Sequence, residues 1–326
     1  MNLKKDVLWI FSHPDPEKIP SYVLSGILPA NFLTIQKIIF LIDDNPEDFL
    51  LKFRPKVIII NKAFHINIPN LIKKANELNI KVISIFDDWF FSQNSSNYDR
   101  LTLNSEIAKY SDLLIAKTKQ AAKIIEKNTS LSVSIISDCI RYVPNNTISK
   151  IRYPFEICWF GMHTNYDTLI LGLQEISKHD FDCNLTIITN NILELQKIIK
   201  KIKLNKTKIN YIKWTEEANK IIIKSDIVII PYIDDEKRKV KSQNRIIESM
   251  NLGKFVITSD VELTKEFKNF CYIGEIGDGL AWIIENKELT ISMINNGSKY
   301  VKENYTIEAI SKQWLNKIYS IAGYEK

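Results

Sequence analysis

The sequence predicts an α/β protein in two halves, each a parallel sheet covered by helices on both faces. Short apolar runs recur along the whole chain without alternating apolar and polar residues, which is how strands buried on both faces read. Between them lie stretches whose apolar residues fall three and four apart, the spacing of helices. The pattern restarts after a polar stretch near residues 143–153. A chain of 326 residues fits about two domains at ~100–200 residues each.

In order, strands are expected at Val7–Phe11, Ile38–Ile42, Val57–Ile60, Val82–Phe86, Leu113–Ala116 and Val133–Ile136. Ile68, Leu71, Ile72, Ala75 and Leu78 share one face, so 68–78 reads as a helix, as do 103–110 and 119–127. Pro144-Asn145-Asn146 then opens a polar linker. The second set of strands is expected at Ile157–Phe160, Leu185–Ile188, Ile209–Ile212, Ile227–Ile230 and Phe255–Thr258. Helices are expected between them at 169–176, 192–202, 218–224 and 244–252, and a last one at 307–321. The domains are therefore 1–148 and 149–326, the second carrying the terminal helix. Strand–helix alternation of this kind gives parallel sheets, whose ligands bind at the carboxyl ends of the strands, in a cleft between the two halves.

Composition excludes several classes. Hydrophobic residues make up 45% and charged residues 25%, so disorder and fibrous structure are ruled out as a global description. The net charge of +6 suits a cytosolic protein that handles anions or touches an acidic membrane surface, and is too small to argue for nucleic acid. Cys139, Cys158, Cys183 and Cys271 form no C-x-x-C pair and read as reduced, buried thiols. The N-terminal MNLKKDVLWIF has too short an apolar run for a signal peptide and reads as a first strand. No run approaches a membrane span; the longest, IIIKSDIVIIPYI, is broken by Lys224 and Asp226.

The segment with most chemistry is DIVIIPYIDDEKRKVKSQNRIIESMNLGKFVIT, residues 226–258. It holds a strand, a proline turn, a polar loop, a helix from about Gln243, a glycine and another strand. Lys241, Ser242, Asn244 and Arg245 sit where that helix begins. The first-turn N–H groups of a helix carry roughly half a positive charge, so these residues suit a diphosphate. Glu248 falls one turn after Asn244 on the same side and can accept hydrogen bonds from a ribose diol. Each also has a plain reading: a solvated loop lysine, an N-cap serine, an exposed ion pair.

The run KSQNRIIESMNLGKFVIT resembles the donor-binding segment of GT-B glycosyltransferases, most closely the large bacterial family of retaining mannosyl-, glucosyl- and N-acetylhexosaminyltransferases. The matching residues are Lys241, Ser242, Asn244, Arg245, Glu248 and Gly253. Phe255 replaces the family's usual proline. Many members carry a second glutamate eight positions earlier, and here that position is Val240. CWFGMHTN, residues 158–165, is similar to the strand and glycine turn that opens the second GT-B domain, which places Gly161 and His163 against the donor diphosphate. Residues 19–33 resemble the loop and helix after the first strand, and 133–146 the crossover out of the first domain. The resemblance implies two Rossmann-like domains facing each other across a cleft, with the terminal helix returning toward the first. It implies Lys241 and Arg245 as stabilisers of the leaving diphosphate, and Gly161, His163, Ser242, Asn244 and Glu248 as donor-binding residues. Asp87 and Asp88, at the end of a first-domain strand, are candidates for a direct catalytic role, and His13, Ser21 and Tyr22 for acceptor contact.

The pairs Asp43-Asp44, Asp87-Asp88 and Asp234-Asp235 lack the Asp-x-Asp spacing of metal-dependent transferases, so no metal and no cofactor is expected. The function implied is transfer of a sugar from a nucleotide-diphosphate sugar to a saccharide or lipid-linked saccharide, in cell-surface polysaccharide synthesis. It would take place in the cytoplasm, with peripheral contact at the inner membrane face. A nucleotide-sugar epimerase of the same fold and a non-catalytic transferase-like binding partner are the alternatives.

Overall fold

The structure is a computed structural model that describes residues 1–61, 65–86, 98–144, 150–215 and 217–324, without the side chains of 98–100. The chain forms two compact units. The first comprises Met1–Arg141, Lys239–Ser242 and Asn304–Lys326, and the second Tyr142–Arg238 and Gln243–Glu303. Sequence spacing put the terminal helix with residues 149–326, whereas its contacts count it with the first unit. The reason is its apolar stripe. Ile310, Trp314 and Ile318 are buried in the cluster that holds Val7, Trp9, Val57 and Ile59.

The first unit has six parallel strands: β1 (Val7–Phe11), β2 (Gln36–Ile39), β3 (Val57–Asn61), β4 (Lys81–Phe86), β5 (Leu113–Ala116) and β6 (Val133–Ile135). Their order is β2-β1-β3-β4-β5-β6. The four inner strands are nearly all buried, as their unbroken apolar runs require. The edge strand β2 runs earlier than expected. It ends at Ile39, and Leu41 turns outward because its N–H is held by Asp44 Oδ2 at 2.7 Å. Leu41 and Ile42 are therefore exposed (41% and 54%) instead of completing an apolar strand.

Residues 19–33 form a broken helix: Pro20–Tyr22, a π-helical turn over Val23–Ile27, and Leu28–Phe32. Pro29 lacks the N–H that an α-helix would need there and crowds the carbonyl one turn back, at Ser25, a recognised cause of such local widening. Lys117 and Asp138 form a buried pair at 3.2 Å, with the ammonium 6.0 Å from the Trp314 ring centre.

The second unit repeats the architecture with β7 (Phe155–Phe160), β8 (Cys183–Thr189), β9 (Thr207–Lys213), β10 (Ile227–Ile230), β11 (Phe255–Thr258) and β12 (Tyr272–Ile273), ordered β12-β11-β10-β7-β8-β9. Strand order reverses between β7 and β10, and doubly wound sheets bind ligands in the crevice at the carboxyl ends of such a pair. Arg152 fixes the start of this unit. Its Nε and Nη2 donate to Asp226 Oδ2 and Oδ1 at 2.7 and 2.8 Å, just before β10. Among the described residues, no helix is long and apolar enough to cross a membrane.

Candidate donor site at the switch point of the second sheet

The helix Asn244–Asn251 forms because Ile246, Ile247 and Met250 make one buried face, leaving Asn244, Arg245 and Glu248 on a less buried side. Its N-cap is Gln243 rather than Ser242, and the Gln243 side chain makes no capping bond. The Gln243 amide is turned away and donates to Leu263 O at 2.6 Å. Gly253 ends the helix at φ 68°, with Gly253 N bonded to Met250 O and Lys254 N to Ser249 O, both at 3.0 Å. Gly253 is thus needed for the turn into β11.

Arg245 joins the two strands of the crevice. Its Nη1 donates to Phe160 O, the end of β7, at 3.4 Å. Its guanidinium carbon lies 5.6 Å from the ring centre of Tyr232, two residues beyond β10. Tyr232 is itself held by a bond from its N–H to Ser259 Oγ at 2.9 Å.

Gly161 completes the group. A Cβ there would lie 2.9 Å from Trp159 Cη2 and Cζ2 and 3.4 Å from Arg245 Nη1. The glycine is dictated by this lack of space, not by an unusual backbone angle. His163 follows in the same turn, where its N–H donates to Asn190 Oδ1 at 3.0 Å and its Nδ1 lies 3.1 Å from Asn190 Nδ2.

The second unit therefore brings together Gly161, His163, Asn244, Arg245 and Glu248 of the expected residues. Lys241 and Ser242 directly precede the helix in sequence but belong to the segment Lys239–Ser242 that groups with the first unit. Val240 in that segment is buried with Leu8, Ile10 and Ile60, which accounts for the apolar residue at this position. Sequence reasoning missed Asn190 and Tyr232. Each is a polar or aromatic residue just beyond the end of a buried strand, which was the available signal.

In the first unit, His13 follows β1 and its Nδ1 accepts the Asp15 N–H at 3.0 Å. Ser21 lies in the short helix after it. Tyr22 is 2% exposed, its ring 5.6 Å from Phe11 and 6.3 Å from His13, so the ring packs in the core and backs His13. Asp87 and Asp88 lie outside the described residues. Asp235 pairs with Arg238, which also pairs with Asp167. Among the described residues, no group of three or more His, Cys, Asp or Glu could hold a metal ion. The thiols of Cys139, Cys183 and Cys271 are pushed up to about 12 by burial, and that of Cys158 higher still.

Residues 155–285 match the sequence profile of the family described as Glycosyl transferases group 1. By sequence, no curated protein matches the chain. Its fold is similar to Anabaena HepE in complex with UDP and glucose, with 10% identity, a TM-score of 0.70, and 97% of this chain and 100% of that one covered. It is similar to the E. coli trehalose-6-phosphate structure bound with UDP-2-fluoro glucose, with 11% identity, a TM-score of 0.68 and coverage of 96% and 98%. A Listeria monocytogenes protein provisionally named UDP-N-acetylglucosamine 2-epimerase also matches, with 13% identity, a TM-score of 0.58 and coverage of 97% and 96%. With its two Rossmann-like units the chain has the GT-B fold, and its residues 155–285 match the profile of the group 1 glycosyl transferases.

Proposed function

We propose that the chain transfers a sugar from a uridine-diphosphate sugar to a saccharide or lipid-linked saccharide, binding the diphosphate at the carboxyl ends of β7 and β10. The observation that carries this reading is Arg245: a guanidinium beside Gly161 and against Tyr232, at the strand-order reversal of the segment that matches the transferase family. Departure of the diphosphate builds negative charge on its oxygens. Arg245 opposes that charge, with Lys241, the Ser242 hydroxyl and the start of the helix as further contributors. Asn244 and Glu248 hold the nucleoside, Glu248 as an acceptor for ribose hydroxyls. The positive groups supply what a divalent cation supplies in other transferases, so neither metal nor cofactor takes part. The UDP bound by HepE supports the choice of base. Cell-surface polysaccharide synthesis is the setting we assign, at the cytoplasmic face of the membrane.

The test is a thermal-shift screen with UDP, GDP, CMP and dTDP sugars, followed by donor hydrolysis with and without EDTA. A ligand at a hundred times its dissociation constant adds about 2.7 kcal/mol and raises the melting point visibly. Selective stabilisation by UDP sugars and EDTA-resistant hydrolysis are expected. Loss of turnover on chelation, restored by manganese, would overturn the metal-free mechanism. Epimerase activity is the second reading, favoured by the Listeria similarity; interconversion of UDP-sugar epimers without acceptor would establish it instead.

A further inference from the structure

The turn after β7 carries a polar clamp, Asn190 on His163, whose role the donor-site reading leaves open. β7 and β8 are paired through Phe160 and Ile188, and the ladder continues with Gly161 N bonded to Ile188 O at 3.1 Å. The residues just past the two strands therefore face each other: His163 after β7, Asn190 after β8. The Asn190 amide meets His163 twice, at the backbone N–H (3.0 Å) and at ring Nδ1 (3.1 Å). The Thr189 hydroxyl, buried, lies 3.5 Å from Asn190 Oδ1 and 3.0 Å from the Tyr166 hydroxyl, which bonds to Asn191 O at 2.5 Å. The clamp thus stands on a network reaching into the first turn of the helix Tyr166–Ile176.

This arrangement settles which way the amide points. A backbone N–H is only a donor, so the atom facing it is the amide oxygen. The other arm of the amide is then NH2, also only a donor, and it faces Nδ1. Nδ1 must offer a lone pair. A neutral imidazole carries one N–H, so the proton is on Nε2. Rotating the amide by half a turn would set NH2 against the backbone N–H and lose that bond.

We infer that Asn190 is a positioning residue that holds His163 as a neutral ring with an N–H donor at Nε2, presented to a phosphate oxygen of the nucleoside diphosphate. This rests on the donor site proposed above. The ring is exposed, so the second nitrogen is open to a ligand, and it stands two residues from Gly161. A fixed donor at this point serves an anion, whereas the opposite tautomer would turn a lone pair toward it.

Asn190→Asp separates the possibilities. The aspartate can still accept the His163 N–H with one oxygen, but its other oxygen now accepts from Nδ1. The proton moves to Nδ1, and the ring loses its Nε2 donor. The measurement is long-range nitrogen–proton NMR on histidine-labelled full-length protein without ligand, the His163 signals being assigned by their loss in His163→Ala. UDP titrations of wild type, Asn190→Asp, His163→Ala and the double variant accompany it. We expect the Nε2–H form in wild type, a proton on Nδ1 in Asn190→Asp, and UDP binding about tenfold weaker. In the His163→Ala background, Asn190→Asp should add little, because its effect passes through the ring. A His163 proton on Nδ1 in wild type, or a tautomer indifferent to Asn190→Asp, would overturn the inference. So would a moved tautomer with unchanged UDP affinity, or an equal loss in the His163→Ala background. Failure of the wild-type protein to bind UDP at all would refute the transferase reading instead, and the ligand-free spectra would still decide whether Asn190 sets the ring.

Discussion

Replacing Gly161 by alanine tests the crevice directly. The new methyl would stand 2.9 Å from two carbons of the Trp159 indole and 3.4 Å from Arg245 Nη1. Carbon atoms rest comfortably at about 3.5–4.0 Å, so the indole must retreat by roughly 0.6 Å or more. Trp159 is fully buried, in a cluster with Tyr166, Leu169 and Ile187, and has little room to do so. Overpacking of this kind costs about 1–3 kcal/mol, a fall in melting point of roughly 2–4 °C per kcal/mol for a protein of 150–250 residues and less for this longer chain. Arg245 is pushed at the same time, so UDP affinity should also drop. The assay is urea unfolding with UDP titration, repeated in a Trp159→Phe background. Phenylalanine lacks the two indole carbons that clash. The double variant should therefore be more stable than the sum of the single effects by about 1 kcal/mol or more. Strict additivity, or a Gly161→Ala protein as stable and as tight for UDP as wild type, would refute the argument from space.

Asp138→Ala strips the partner from the buried Lys117 ammonium and should cost about 3–5 kcal/mol by urea unfolding, while Lys117→Met with Asp138→Leu should recover much of the loss. Glu175 has its carboxyl pushed above the usual range by burial, while it accepts the Ile276 N–H at 2.7 Å. Folded protein therefore holds this proton to higher pH than unfolded chain does, and stability falls as pH rises from the unfolded value of about 4.3 through the folded one. Glu175→Gln keeps an acceptor without that penalty, so its melting point should exceed wild type at pH 7, and the gain should shrink on acidification toward pH 4. Glu248→Gln should weaken donor binding roughly tenfold by removing one of two acceptor oxygens, whereas Lys241→Ala should lower turnover more than affinity; dissociation constants and single-turnover rates separate the two.

The inner strands were legible because parallel strands buried on both faces need unbroken apolar runs, and Val7–Phe11 and Leu113–Ala116 fall on the expected residues. Legibility failed where burial does not dictate sequence. β2 is an edge strand with no fully buried side chain, and two-residue β12 is too short to leave a pattern. The helices Pro46–Phe53 and Lys287–Asn304 escaped notice, the first set by its Asn45 cap and the second carrying many polar residues. At the candidate site, Lys241 through Glu248 stood out as a local run. Asn190 and Tyr232 could not, because what matters in them is a neighbour across the sheet, 27 residues from His163 and from Ser259 respectively.

The terminal helix has a consequence for how the molecule is made. Trp9 and Val57 share a cluster with Ile310, Trp314 and Ile318, which are synthesised long after them. Chains usually finish their N-terminal portion first. Here part of one face of the first sheet stays uncovered until the terminal helix has been made. A chain ended at Glu303 would keep all of β1 to β6 and still present that apolar face to solvent, a substrate for chaperones and proteases. The helix Ile307–Ile321 thus closes the first unit, and a fluorescent or affinity tag should not take its place.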